Sequence, residues 1–208
     1  MDPTFFISAF VTLFVVIDPV GLAPLFVALT QGTTPHDRRK IAMRACLVSL
    51  GVLTLFGLAG DAVLNFVGIS LPAFKIAGGI LLFLTALDML FERRSKRRED
   101  RTSEEEDRPD PSVFPIAIPL IAGPGAIASM ILLAGQVQGD LAAIVAIHAV
   151  MAATILICLV FFLSAGVIEK LLGRTGIVVV TRLLGMLLAA LSVQFVLDGL
   201  QTIGLISV

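Results

Sequence analysis

The sequence has no tryptophan and no tyrosine, two cysteines, two histidines, and only 15% charged residues. Ordinary soluble domains carry about 25% charge, so a water-facing globule is excluded. Without Trp or Tyr there is no aromatic belt, and Phe and flanking charges are left to anchor any membrane interface. Cys46 and Cys158 lie in apolar runs without metal-ligand spacing and read as small buried hydrophobes, implying neither a disulfide nor a metal. There is no Walker A loop, no H-E-x-x-H pair and no Ser, His, Asp or Cys constellation of catalytic spacing. ATP-driven transport and enzymatic function are therefore not expected, and no cofactor is implied.

What the chain does have is apolar length. Of its 208 residues 57% are hydrophobic, and mean hydropathy is +1.01. Runs able to cross a ~30 Å hydrocarbon core occupy residues 4–30, 41–64, 69–91, 113–135, 141–168 and 177–206. The expected fold is all-α, six transmembrane helices in one domain. The N-terminal run lacks a basic flank and a small-residue cleavage site, so it reads as the first span and not as a signal peptide.

Fourteen of the 15 Lys and Arg residues lie on one side: Arg38, Arg39, Lys40 and Arg44 after helix 1, seven more between Arg93 and Arg108, and Lys170, Arg174 and Arg182 at the start of helix 6. The positive-inside rule makes that side cytoplasmic and puts both termini outside. Residues 92–112 form a charged cytoplasmic linker, basic then acidic, read as a solvated tether. A nucleic-acid role is not expected for so short a basic run beside its own acidic block.

The linker separates residues 1–91 from 113–208, and the two parts resemble each other. Gly21 falls on Gly125 at an offset of 104, Ala59-Gly60 on Ala165-Gly166 at 106, and Lys75 and Gly78 on Arg182 and Gly185 at 107. Three spans per part make the second insert upside down relative to the first, an inverted repeat of the kind many secondary transporters use. Helices 1 and 4 each carry an interruption at matching depth. In VVIDPVGLAP, Asp18 precedes Pro19, which has no amide hydrogen, and Gly21 and Pro24 follow; in helix 4, Pro115 and Pro119 precede Gly123-Pro124-Gly125. These residues disfavour continuous helix.

Interrupted backbone inside a membrane must be satisfied by protein, water or ligand. Half-helices offer N–H groups to a carboxylate at one end and carbonyls to a cation at the other, a match for a zwitterion. Close packing at the glycines is the competing explanation. The candidate substrate-binding residues are Asp18, Pro19, Gly21, Pro24, Gly123, Pro124, Gly125, Ser129 and Thr85. Asp18, an acid at mid-depth, is expected to bind a substrate ammonium, to carry a coupling proton, or to pair with Lys75. Lys75 and His148 complete the coupling candidates, although Lys75 can equally snorkel to the interface and His148 can bond a neighbouring helix.

The stretches FVVIDPVGLAPLFVALT, GISLPAFKIAGGILLFLTALDML, PIAIPLIAGPGAIASMIL and GIVVVTRLLGMLLAALSVQFVLDGL resemble the MarC family, also called the neutral amino acid transporter family. The resemblance implies six helices in inverted three-helix repeats with helices 1 and 4 discontinuous, and transport of a small neutral amino acid such as glycine or alanine, with protons in some members. Several members have Asn after the first-repeat glycine, where this chain has Leu22. Export of another small metabolite or drug, or a passive channel or sensor, is the alternative. The expected setting is the bacterial or archaeal cytoplasmic membrane.

Overall fold

The computed structural model describes residues 3–30, 32–91, 111–137 and 139–206; the charged linker lies outside them. The described residues form α1 (Pro3–Ile17), α2 (Pro19–Leu29), α3 (Pro35–Val67), α4 (Leu71–Leu90), the wide π-type helix α5 (Ser112–Ile121), α6 (Pro124–Gly135), α7 (Leu141–Leu163) and α8 (Ala165–Thr202). Five stretches are long and apolar enough to cross a membrane: Pro3–Leu29, Pro35–Gly60, Leu71–Leu90, Leu141–Leu163 and Thr175–Thr202. The pair α5 and α6, bent by 57°, makes a sixth if counted as one. The protein is an all-helical integral membrane protein.

Two boundaries differ from the hydropathy reading for local reasons. Helix α3 starts six residues before residue 41, running through its own charged turn, because the Thr34 side chain accepts the Asp37 amide at 3.1 Å and Pro35 occupies the first helical position. Helix α7 ends at Leu163, before residue 168; Ser164 terminates it, and the chain starts α8 at once, with a break at Gly173 (φ 61°) ahead of the apolar span.

The most extensive contact joins α4 to α8. A Cβ placed on Gly79 would lie 2.7 Å from the Ser192 carbonyl oxygen, one on Gly185 3.3 Å from that of Ala86, and one on Gly199 3.0 Å from that of Pro72. The pairs 72/199, 79/192 and 86/185 step by seven in opposite directions along the two helices. That describes an antiparallel pair with a heptad period, held at backbone contact by glycine. Around this pair, α1 and α2 pack on α7 and α8, while α5 and α6 pack on α3 and, for α6, α4. The core between them includes Leu13, Ile17, Phe26, Leu82, Met130 and Phe162, with Phe26 and Phe162 stacked at 4.4 Å between ring centroids.

Candidate functional site

The first interruption is a single residue wide. Asp18 has φ 57° and ψ 63°, the one positive φ outside glycine among the described residues, a conformation that Asp tolerates better than most. Its amide donates to the Phe14 carbonyl at 2.9 Å and closes α1; its carbonyl accepts from the Leu22 amide at 3.0 Å and opens α2. Pro19 has no amide hydrogen to return to Val15, so the helical ladder is interrupted there. The Asp18 side chain then turns onto α2, where the Gly21 amide donates to its Oδ1 at 3.0 Å. A Cβ on Gly21 would stand 2.9 Å from the Asp18 Cγ, so the cap requires glycine at that position. The carboxyl group is 1% exposed and lies against the positive end of α2, which offsets part of the cost of burying it.

The second interruption has different chemistry. Phe114 and Ile118, each preceding a proline, are extended (φ −132°, ψ 122° and φ −127°, ψ 122°), as prolines impose on the preceding residue. The backbone compensates with five-residue steps: Ile116 donates to Pro111 at 3.2 Å and Ala122 to Ala117 at 2.8 Å. The buried Ser49 hydroxyl on α3 adds a longer contact to the Ala117 carbonyl at 3.4 Å. Helix α6 then begins at Pro124 with Gly123 as its cap and no side chain capping it. A Cβ on Gly123 would stand 2.6 Å from the Pro119 carbonyl oxygen. Thus α2 carries its own carboxylate at its N-terminus and α6 carries none.

The two interruptions meet at Gly125. A Cβ there would lie 3.1 Å from Val16 Cγ1, 3.4 Å from Leu82 Cδ2 and 3.7 Å from Thr85 Oγ1. The first turn of α6 therefore touches the last turn of α1, two residues ahead of Asp18, and the middle of α4. One turn further along α6, Ser129 is fully buried and its hydroxyl has no hydrogen-bond partner. The Thr85 hydroxyl donates to the Leu81 carbonyl at 3.0 Å. Pro19 is buried, Gly21, Pro24 and Gly123 are half-buried, and Pro124 is exposed.

Lys75 and His148 are not among the nearest neighbours of Gly125. Ten residues separate Lys75 from Thr85 along α4, about 15 Å at ~1.5 Å per residue. His148 Nδ1 donates to the Ile144 carbonyl of its own helix at 2.8 Å. Its Nε2 faces α3 and α6, where a Cβ on Gly57 would be 2.8 Å from it and from Met130 Cε. Among the described residues no group of three or more His, Cys, Asp or Glu is arranged to hold a metal ion.

Sequence reasoning passed over Ser49 and Thr154. Both are fully buried mid-helix, and each donates to the carbonyl four residues back, Ala45 at 2.8 Å and Val150 at 3.0 Å. Their separation of 105 residues, close to the offsets of the other matches, was the available signal.

The model of the MarC family of integral membrane proteins matches residues 3–204. The chain belongs to the MarC family. It is similar to a UPF0056 membrane protein of Archaeoglobus fulgidus, 39% identical over 95% of this chain and 92% of that one. The UPF0056 membrane protein YvbG of Bacillus subtilis is 35% identical over 95% of each chain. The UPF0056 inner membrane protein YhgN of Escherichia coli is 34% identical over 94% of this MarC chain and 95% of its own. No solved structure matches. The MarC match spans both interruptions, so Asp18, Gly21, Gly123 and Gly125 all lie within it.

Proposed function

We propose that this MarC protein is a secondary transporter of a small neutral amino acid, working by alternating access about the two helix interruptions, with Asp18 as the proton-coupling or ammonium-binding group. The observation that carries the reading is the meeting at Gly125. The uncapped amide terminus of α6 meets Val16, two residues ahead of the buried Asp18 carboxylate, and the Thr85 hydroxyl, one turn from the Ser129 hydroxyl. An ammonium group is complementary to the Asp18 carboxylate and a carboxylate to the α6 terminus. The 3.1 Å between the Gly125 Cβ position and Val16 Cγ1 is a close contact, which favours the smallest amino acids, glycine and alanine. With the Asp18 carboxylate buried and His148 Nδ1 bonded within its own helix, charge coupling is assigned to Asp18.

Alternating access is supported by an inverted repeat in which helices 1 and 4 are discontinuous. Pro19 and Pro124 start their half-helices 105 residues apart, and Thr34 and Asp140 cap α3 and α7 at a separation of 106, each accepting the amide three residues on. The helix contacts come in matching pairs: α1 with α7 and α5 with α3, α2 with α7 and α6 with α3, α2 with α8 and α6 with α4. The caps set the register one residue away from the match of Gly21 with Gly125, and in that register Asp18 corresponds to Gly123. The distribution of Lys and Arg supports a linker on the cytoplasmic side of the cytoplasmic membrane and both termini outside. Transport of this kind needs no cofactor and no covalent chemistry.

Purified protein in liposomes, given labelled glycine or alanine under an imposed pH gradient, tests this directly. Accumulation beyond equilibrium is expected. Flux that only equilibrates would make the protein a passive channel, and no flux of any small neutral amino acid would refute the substrate class.

A further inference from the structure

A cavity of about 80 Å³ opens between the N-terminal half of α1, the C-terminal end of α6 and the C-terminal half of α8. Its polar lining comes from Ser8, Thr12, Gln136, Gln194 and Asp198. No Lys or Arg lines it. The Gln194 side-chain amide donates to Asp198 Oδ1 at 2.6 Å, one turn apart on α8, and so holds the carboxylate in place. Thr12 is 1% exposed and Phe195 8% exposed, so they form the floor, while Ser8, Gln136 and Gln194 are exposed at the mouth. Thr12 is six residues ahead of Asp18 on the same chain segment, about 9 Å at ~1.5 Å per residue. The cavity is thus separate from the interruption site and aligned with it.

We infer that this cavity is a loading subsite for the ammonium group of a small solute, with Asp198 as the charge that selects it and Thr12 as its floor. The chemistry is that of an acceptor-rich pocket. An ammonium has three donors and no acceptor, and one carboxylate, two amide carbonyls and two hydroxyl oxygens meet it from three helices. A volume of about 80 Å³ compares with ~30 Å³ per water in the liquid, which suits the ammonium end of a small solute; a quaternary ammonium, with no N–H donor, is not matched to these acceptors. A carboxylate in a cleft with apolar walls concentrates cations locally. The part played in transport rests on the transporter reading above; the binding chemistry does not.

The test is a labelling rate, which needs no transport. Thr12→Cys protein in nanodiscs is treated with 2-aminoethyl and with 2-sulfonatoethyl methanethiosulfonate, each rate being divided by that reagent's rate with a small free thiol. Cys46 and Cys158 are buried, so the unsubstituted protein gives the background. The cationic reagent is expected to be favoured about ten-fold, the low end of what charge focusing in a cleft produces. Adding Asp198→Asn should bring the two rates within about two-fold. Ethylammonium should slow the labelling, and sodium or tetramethylammonium at the same concentration should not. Equal rates with Asp198 intact, a preference that survives Asp198→Asn, or protection by sodium equal to that by ethylammonium would each overturn the assignment. Ser8→Cys, at the exposed mouth, gives the same comparison if Thr12→Cys does not fold, and absence of labelling at both positions would refute the cavity itself. A protein that labels as expected but moves no amino acid would leave this site standing and refute the proposed function.

Discussion

Asp18 does two separable things, and a pair of substitutions separates them. As a cap it accepts the Gly21 amide and sits at φ 57°; as an acid it holds a proton or a charge at mid-depth. Asn keeps the acceptor oxygen, ranks with Asp as a cap and tolerates the left-handed conformation. Asp18→Asn should therefore lose only the charge–dipole contribution, ~0.3–1 kcal/mol near a helix N-terminus. Asp18→Ala loses the cap, ~1 kcal/mol, and must hold a Cβ-bearing residue without a local hydrogen bond in the left-handed region, ~1–2 kcal/mol more. The expected losses are thus about 0.5 kcal/mol for Asn and about 2–3 kcal/mol for Ala. Unfolding in a fixed detergent, followed by size-exclusion recovery after heating, ranks the variants. Uptake in liposomes under a pH gradient reads the acid. Near-native stability with abolished or pH-independent uptake is the expected behaviour of Asp18→Asn. Native, pH-dependent uptake by Asp18→Asn would refute the coupling role, and equal destabilisation by Asn and Ala would refute the cap.

Four further outcomes are expected. Gly79→Ala drives a methyl group to 2.7 Å from the Ser192 carbonyl oxygen and should cost ~1–3 kcal/mol by overpacking, whereas Gly51→Ala, with nothing within 4 Å, should be neutral or gain up to ~1 kcal/mol; thermal recovery of both variants checks the contrast. Gly125→Val adds bulk against Val16 and Thr85 and should lower uptake roughly ten-fold or more by displacing the groups proposed to hold the substrate, measured at matched protein in liposomes. Phe162→Ala removes the stacking partner of Phe26 and should destabilise by about 3 kcal/mol or more, read from the same heating assay. An impermeant maleimide applied to intact cells should label Leu205→Cys and spare His36→Cys until the membrane is opened; the reverse pattern would invert the topology.

Much of this was legible in order of residue chemistry. Prolines and glycines marked positions 18–24 and 115–125 because they act through their own backbone, which a sequence displays directly. Thr34 and Pro35 likewise announce the start of α3, but a hydropathy window discards them because they are polar. What Asp18 touches was not legible in the same way. Its bond to Gly21 depends on a left-handed φ, and its distance from Lys75 depends on how far apart along the membrane normal two helices place those residues. The meeting of Gly125 with Val16 and Thr85 is long-range packing among three segments, and apolar composition carries almost no information about which faces meet. His148 Nδ1 is satisfied by the Ile144 carbonyl of its own helix, a local solution that spacing alone did not favour over a neighbour. The polar cavity around Asp198 was missed because its members come from three helices and look, one at a time, like interface residues.

The glycine contacts between α4 and α8 bear on how such a molecule can move. Each contact brings a backbone carbonyl within 3.3 Å of where a glycine Cβ would stand, and the contacts recur every seven residues. Sliding one helix along the other by a residue or two would set a side chain against a carbonyl, and the next register of the pattern is about 10 Å away. Translation by a residue or two is therefore opposed by packing. On the proposed alternating access, the exchange between outward and inward openings is a rocking of the interrupted helices about this pair and not a slide along it.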